Sequence, residues 1–484
     1  MPRYWLGIDQ GSTATKACLV DRRGRIRRLA SVPVAVRHPA PGWVEQDGEA
    51  LFRSVRGALR EVLRGIPADA VAVAGLTCQR STFLIWDPGT GRPLTPALSW
   101  QDRRGEALCR SLHRHDLQIR RATGLRLSPH YAASKIRWLL DRSSSLRRRA
   151  ERGDVRGGTL DSFLLFRLTG GDSWSTDPTH AARTLLMDLR RMEWSPDLLE
   201  LFQIPHRLLP PIRPSVFPAG ELRAAGIPLR IAATLGDQQA AMIGLGCLGR
   251  GDMALNYGTG AFAVMNTGKQ PLRATGLLTS VAWSSPGEVR YLLEGTVNSA
   301  GSALDWVRRI TGRTPRMRAP ELDPWRVPRV VPAFAGLGAP HWIGGARGAL
   351  LDLDLSTSPA DLLDGAVAGI AARILEIVDR MGRGGARPRR IVAGGGVAAG
   401  SALVSLQAAL LRRRVERSRV TEGSCKGAAL LAGRATGEVR LERGRGLEFP
   451  GVSVAPGGSA REAKRFAARF RRARRLVERL AEEE

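Results

Sequence analysis

The sequence predicts a two-domain α/β protein, each domain a sheet flanked by helices, on three observations. Its 484 residues exceed what one ordinary hydrophobic core organises, so two domains of roughly 200–250 residues each are expected. A hairpin pattern around a Gly/Thr-rich turn opens each half, at WLGID-QGSTAT-KACLVD and again at MALNYGTGAFAVMNTG. Behind each hairpin, strand-like and helix-like segments alternate, the pattern of sheets covered by helices.

In the first half, Glu49–Leu63 carries Leu51, Val55, Leu59 and Val62 at helical spacing. Val71–Leu76 is expected as a buried strand that runs directly into Thr77–Thr82. Lys135–Leu146 and Ser162–Leu168 read as helices, and the proline-rich Arg207–Pro218 as a surface crossing. The apolar strand RIAATL leads into Gly236-Asp-Gln-Gln239, where another helix starts. In the second half, Leu362, Val367, Ile370, Ile374 and Ile377 mark a helix, followed by the strand IVAGGG and a further helix. From Gly457 the chain reads as a basic, then acidic, solvated helix without chemical signal. The expected domains are 1–245 and 246–484.

A hydrophobic content of 43% suits a globular protein. The N-terminal MPRYWLGIDQGS lacks the charged-then-apolar order of a signal peptide. No apolar run approaches the ~18 residues that a membrane span needs. The five cysteines are scattered, without metal-ligand or CxxC spacing. Reduced thiols and a cytoplasmic location follow as expectations. The net charge of +29 raises nucleic acid as a partner. Lysine, however, supplies only five of the 74 basic residues, and the arginines are spread along the chain. That is a coding skew rather than a basic stripe, so no specific nucleic acid is expected. Attraction of an anionic substrate remains compatible with it. Whether the chain is a homo-oligomer is left open.

Some motifs fail in context. Gly244–Gly249 spells GxGxxG but follows a helical run instead of a strand. No GxxxxGK[ST] occurs, and the seven histidines show no ligand spacing. Four others carry more. Asp9-Gln-Gly-Ser-Thr13 offers backbone N–H groups and hydroxyls to phosphate oxygens, beside a carboxylate suited to Mg²⁺. Asp237 lies at a strand-to-helix junction, where a helix N-cap is the ordinary alternative. Tyr257-Gly-Thr-Gly260 is a second phosphate-compatible turn, and Ala393-Gly-Gly-Gly-Val397 lets a nucleotide approach the backbone. Glycine turns and strand-end carboxylates together fit phosphoryl transfer, where positioning and charge neutralisation do most of the work.

The order and wording of a dozen stretches resemble the FGGY carbohydrate kinases, and within them the glycerol kinases. They include GIDQGSTATK, PGWVEQD, CQRSTFLIWD, ALSWQDRR, ASKIRWLLD, STDPTHAARTLLMD, GDQQAAMIG, YGTGAFAVMNTG, EGTVNSAG, PAFAGLGAPHW and AGGGVAAGS, in family order from Gly7 to about Gly433. The resemblance implies two ribonuclease-H-like domains of the actin/hexokinase type, the first binding the acceptor and the second the nucleotide, with the active-site cleft between them. It implies ATP and Mg²⁺, with Asp9 and Asp237 around the metal and Asp237 as general base. Ser12, Thr13 and Lys16 match the first phosphate turn. Thr259 and Gly260 match the second, with Gly301, Gly394 and Gly395 on the nucleotide side. Arg80, Ser81, Trp100, Tyr131, Asp237, Gln238 and Phe262 match the acceptor set. Ser81 stands where glycerol kinases carry a glutamate, which implies a changed pocket, room for a longer acceptor, and an Arg80 that needs a partner. A Ser81→Glu variant would then gain glycerol phosphorylation. The nucleotide side departs from the family at Ala393, Ala399 and Asp305, and Ile343 departs after the HW pair. Ribulose or xylulose phosphorylation, or a non-catalytic sugar sensor, are the alternatives.

Overall fold

The computed structural model describes residues 3–223, 229–312, 327–441 and 446–483. The chain forms two compact units. One comprises Met1–Leu248, Thr279–Tyr291 and Glu422–Glu448, the other Gly249–Leu278, Leu292–Thr421 and Phe449–Glu484.

The first unit is built on a six-stranded sheet. β1 (Tyr4–Gln10) and β2 (Ala14–Asp21) form an antiparallel hairpin with Asp9 opposite Lys16. β3 (Ile26–Pro33) continues it on the outside. After α1 (Gly48–Val62), β4 (Val71–Cys78) lies parallel to β1 on its other side. α2 (Ala132–Asp141) and α3 (Leu160–Leu168) come next, then β5 (Val216–Leu222) and β6 (Leu229–Gly236), and α4 (Asp237–Gly244). The sheet order is β5-β6-β4-β1-β2-β3. β4 and β6 are buried nearly throughout, as near-continuous apolar runs in a parallel sheet require. The stripe Leu51, Val55, Leu59 and Val62 of α1 is buried with Leu6, Ile8 and Leu19 of the hairpin.

Two segment expectations shift. The run expected as one helix over Lys135–Leu146 is two, because Ser143 is extended and its side chain accepts from Leu146 N as the cap of Ser144–Arg152. The crossing at Arg207–Pro218 gives way to β5 at Val216. Pro218 is tolerated there because β5 is an edge strand.

In the second half, β7 (Asp252–Tyr257) and β8 (Ala261–Gly268) repeat the antiparallel hairpin. β9 (Leu278–Ser285) and β10 (Glu288–Val297) precede α5 (Gly301–Thr311) and the 25-residue α6 (Pro359–Arg383). β11 (Arg390–Gly394) runs parallel to β7, and β12 (Val415–Ser418) parallel to β11, with α7 (Ser401–Leu411) between them in sequence. α8 (Gly423–Ala435), β13 (Gly451–Val454) and α9 (Ala460–Glu482) complete the chain. The seven-stranded order is β9-β10-β8-β7-β11-β12-β13. The inner order β10-β8-β7-β11-β12 repeats β3-β2-β1-β4-β6, so the echo seen in the two hairpins extends to whole sheets.

α9 corrects the expectation of a solvated tail. Phe466, Phe470, Ala473, Arg474 and Val477 are buried, at the i, i+4, i+7, i+8 and i+11 positions of one helical face. Arg474 Nε donates to Glu376 Oε1 on α6 at 2.7 Å, and Glu376 also meets Arg373 and His341. α8 belongs to the first unit and packs against α4 and β1 with almost no side chain between the backbones. A Cβ on Gly427 would stand 1.8 Å from Ala240 O, and one on Gly7 2.0 Å from Cys425 O. Only glycine permits that approach. Among the described residues no helix is long and apolar enough to cross a membrane.

Candidate active site

β1, β4 and β6 run parallel with their ends in register. Asp9 pairs with Thr77, while Gln10 and Gly236 each pair with Cys78. Asp9, the loop after Cys78 and Asp237 therefore share the carboxyl-terminal edge of one sheet, where open α/β sheets bind ligands. Gly236, not Asp237, is the N-cap of α4. Asp237 is instead the first residue of the helix, and its carboxylate is shared between the helix start and a side-chain partner. Its Oδ1 accepts from Gln238 N at 2.7 Å and lies 3.1 Å from Arg80 Nε. Arg80 Nη1 donates to Gln239 Oε1 at 3.3 Å. Arg80, expected to need a partner, thus has two.

The Asp9 carboxylate is poised differently. Its Oδ1 is buried without a hydrogen-bond partner. Burial, and then the charge of Asp237, push its pKa from 3.8 up to about 7; Lys16 opposes this and Glu422 adds to it. Lys16 Nζ is itself 2.6 Å from Glu422 Oε2. Asp9, Asp237 and Glu422 thus feel one another's charge, although among the described residues only Cys78, Asp161 and His180 lie close enough together to ligate one ion. Glu422 sits just before α8 and belongs to no motif, so nothing in the sequence pointed to it.

Ser12 and Trp100 are tied together. Trp100 Nε1 donates to Ser12 Oγ at 2.9 Å, and Ser12 Oγ to Gln79 Oε1 at 3.1 Å. Thr13 is exposed at the hairpin turn, and Gln238 is half-buried beside Asp237. Three of the expected acceptor residues, Arg80, Ser81 and Tyr131, are buried. Ser81 is fully buried at φ 66°, its hydroxyl donating to Arg183 O at 3.2 Å. Tyr131 is buried too, with its ring 5.0 Å from that of His130. The half-buried His130, 5.4 Å from the Trp100 ring, is the aromatic neighbour of Trp100. The sequence reading passed over His130, and only its position next to Tyr131 could have flagged it.

The second unit gathers the glycine motifs. At the β7–β8 turn, Thr259 O accepts from Ala300 N at 2.9 Å and Ser302 N at 3.1 Å, while Gly258 O accepts from Gly301 N at 2.9 Å. The turn is thereby fastened to the start of α5. Gly394 pairs with Asn256. Gly395 has φ 93°, and a Cβ there would meet Tyr257 O at 2.4 Å. Thr259, Gly260, Gly301, Gly394 and Gly395 are thus joined through backbone contacts, and the first N–H groups of α5 are already spent on the turn carbonyls. Phe262, on β8 opposite Asn256, is half-buried. Ala393 is buried in β11.

The fold also gathers three residues whose sequence spacing showed nothing. Cys78, Asp161 and His180 are buried within ligand distance of one another. Cys78 Sγ is 3.6 Å from His180 Nε2, whereas Asp161 Oδ1 is 3.7 Å from Nδ1. The thiol and carboxylate address opposite sides of the ring, which makes a polar chain and not a ligand set around one point.

The family described as "FGGY family of carbohydrate kinases, N-terminal domain" matches residues 4–244, and its C-terminal domain matches residues 253–436. A glycerol kinase of Thermus brockianus is 42% identical over 451 residues, 91% of either chain. The fold superposes on a Plasmodium falciparum glycerol kinase with ADP at a TM-score of 0.87 and 25% identity, covering 98% of both chains. A xylulose kinase of Lactobacillus acidophilus gives 0.87 at 22% identity, again covering 98% of each, and attests the shared fold alone. A two-domain α/β fold, strand-end carboxylates and matches along nearly the whole length converge: the chain belongs to the FGGY family of carbohydrate kinases, enzymes that phosphorylate an alcohol group of a sugar or polyol.

Proposed function

We propose that the enzyme transfers the γ-phosphoryl group of ATP to a hydroxyl of a short polyol, with glycerol the first acceptor to test. In the reaction the acceptor oxygen bonds to phosphorus as the bond to the ADP oxygen breaks. The hydroxyl proton passes to Asp237, which need only accept it as attack proceeds. The observation that carries this reading is the Asp237 carboxylate at the strand end, held by Arg80 at 3.1 Å and by Gln238 N at 2.7 Å. Asp9, with its orphaned oxygen, and Asp237 would hold Mg²⁺, which supplies charge neutralisation on the phosphates. Ser12, Thr13 and Lys16 are proposed for the phosphates, and the Thr259–Gly260 turn with Gly301, Gly394 and Gly395 for the nucleotide. The first unit takes the acceptor role and the second the nucleotide role. An ATP-consuming reaction of this kind fits the cytoplasm.

The case for a longer acceptor rested on Ser81 opening the pocket. Its burial against Arg183 O weakens that support, and relatives in Thermus brockianus and Citrifermentans bemidjiense, 42% and 41% identical, carry the name glycerol kinase. Single-turnover phosphorylation of glycerol, erythritol, ribulose and xylulose by the unaltered chain and by Asp237→Asn tests the proposal. The expected result is transfer to glycerol, with the variant slower by about 10²–10⁴-fold. No ATP consumption with any acceptor, or an unimpaired variant, would overturn it.

A further inference from the structure

Between the acceptor wall and α2 lies a buried cation that the proposed reaction does not use. Lys135 is 0% exposed. Its Nζ donates to two backbone carbonyls, Ser99 O and His130 O, each at 2.8 Å. The first belongs to the residue just before Trp100, the second to His130 itself. These are the two neighbouring rings at the candidate acceptor site, 5.4 Å apart. They come from separate loops, one after the strand Ala97–Leu98 and one leading into α2.

We infer that Lys135 is a positioning residue that clamps these two loops together and so sets the Trp100–His130 wall, an inference that rests on the proposed acceptor site. An apolar side chain could fill the same space without the cost of a buried charge. Among the described residues no carboxylate pairs with it. Asp102, whose charge acts on it, already accepts from Arg104 and Val44 N. Burial, against the attraction of Asp102, lowers the Lys135 pKa to about 7. What the ammonium does secure is geometry. One head group with several donors spans two carbonyls of distant sequence and leaves neither unsatisfied. Trp100 in turn donates to Ser12 Oγ on the β1–β2 turn, so the clamp also bears on the proposed phosphate side.

Lys135→Met removes both donors at similar length. Hydrogen exchange followed by mass spectrometry should show residues 98–104 and 128–131 exchanging faster, with β4 (71–78) unchanged. With glycerol as acceptor, KM for glycerol should rise about 10–100-fold, the scale of a small misplacement of bound substrate, and KM for ATP should stay within about twofold. In a Trp100→Ala background the same substitution should add little. Lys135→Arg, which can still donate to two carbonyls, should recover much of the protection and affinity. If the Met variant does not accumulate, Lys135→Gln, too short to reach both carbonyls, takes its place. Uniform acceleration of exchange everywhere, unchanged exchange in the two loops, or full additivity with Trp100→Ala would overturn the clamp. The exchange arm needs no catalysis, so it decides the clamp even if the proposed reaction fails.

Discussion

Replacing Asp9 with asparagine should make the metal-free protein more stable at pH 8 while disabling it. Burial and Asp237 raise the Asp9 pKa from 3.8 to about 7. Between those values the folded chain holds a proton that the unfolded chain has released, so stability falls as pH rises. Below 3.8 the penalty is absent, and above about 7 it is complete. A rise of about three units costs about 4 kcal/mol at pH 8 and, over the span from 3.8 to 5, about 1.5 kcal/mol at pH 5. Asparagine escapes the charge but leaves a neutral polar group in the slot of the orphaned Oδ1, a loss of about 1–3 kcal/mol. The net expectation is a gain of about 1–3 kcal/mol at pH 8 and, at pH 5, between a gain of about 0.5 and a loss of about 1.5 kcal/mol. Urea unfolding with a chelator present, at both pH values, measures the difference directly. Mg²⁺ should then stabilise the unaltered chain more than the variant at pH 8. A variant no more stable at pH 8 than at pH 5, relative to its parent, would show that Asp9 is not held in this strained ionisation.

Other substitutions probe the surroundings. Ser81→Glu should now lose stability instead of gaining glycerol activity, because a carboxylate at a fully buried position at φ 66° costs several kcal/mol; a soluble variant with faster glycerol phosphorylation would restore the open-pocket reading. Arg474→Met should destabilise by less than the about 3–5 kcal/mol of a buried pair broken outright, because Glu376 keeps Arg373 and His341 and Glu478 keeps His341. Burial alone would raise the Glu376 pKa, but His341, Arg373 and Arg474 hold it down at about 2. Its stabilisation is therefore present above pH 4.5 and lost as pH falls toward 2, and the variant should unfold at a higher pH in acid titration; an unchanged midpoint would count against the network. Gly427→Ala should cost about 3 kcal/mol or more, since its Cβ would overlap the immobile Ala240 carbonyl; calorimetry showing an unchanged melting temperature would refute the backbone contact of α8 and α4.

The hairpins and buried strands were legible because their signals are local. A Gly/Thr turn between alternating apolar residues specifies β1–β2 and β7–β8 wherever the rest of the chain goes. Ser143 was legible in principle as a cap, yet the apolar residues on both sides of it masked the break between two helices. α9 was misread because its charges outnumber its apolar residues, and charge was taken for solvation. The buried Arg474 shows why that inference fails: Glu376 and Glu478, one of them a hundred residues away, neutralise it. No local pattern reports a partner that distant.

The same division runs through the site. Asp9 and Asp237 are over two hundred residues apart, and each has an innocent local explanation, a polar turn and a helix cap. The parallel register of β1, β4 and β6 adds what neither local explanation contains, bringing Asp9, Cys78 and Gly236 to one edge. The raised pKa of Asp9 is then a property of the fold, through burial first and the charges of Asp237 and Glu422 after it. Side-chain direction was the part that sequence matching could not supply. Ser81 and His130 illustrate it from opposite sides: the motif position of Ser81 promised contact with the acceptor, and a left-handed φ turns it toward Arg183 O. His130 promised nothing, and the carbonyl it gives to Lys135 sets its ring beside Trp100. Swapping Ser81 by motif position alone would therefore alter the interior before it altered any exposed surface.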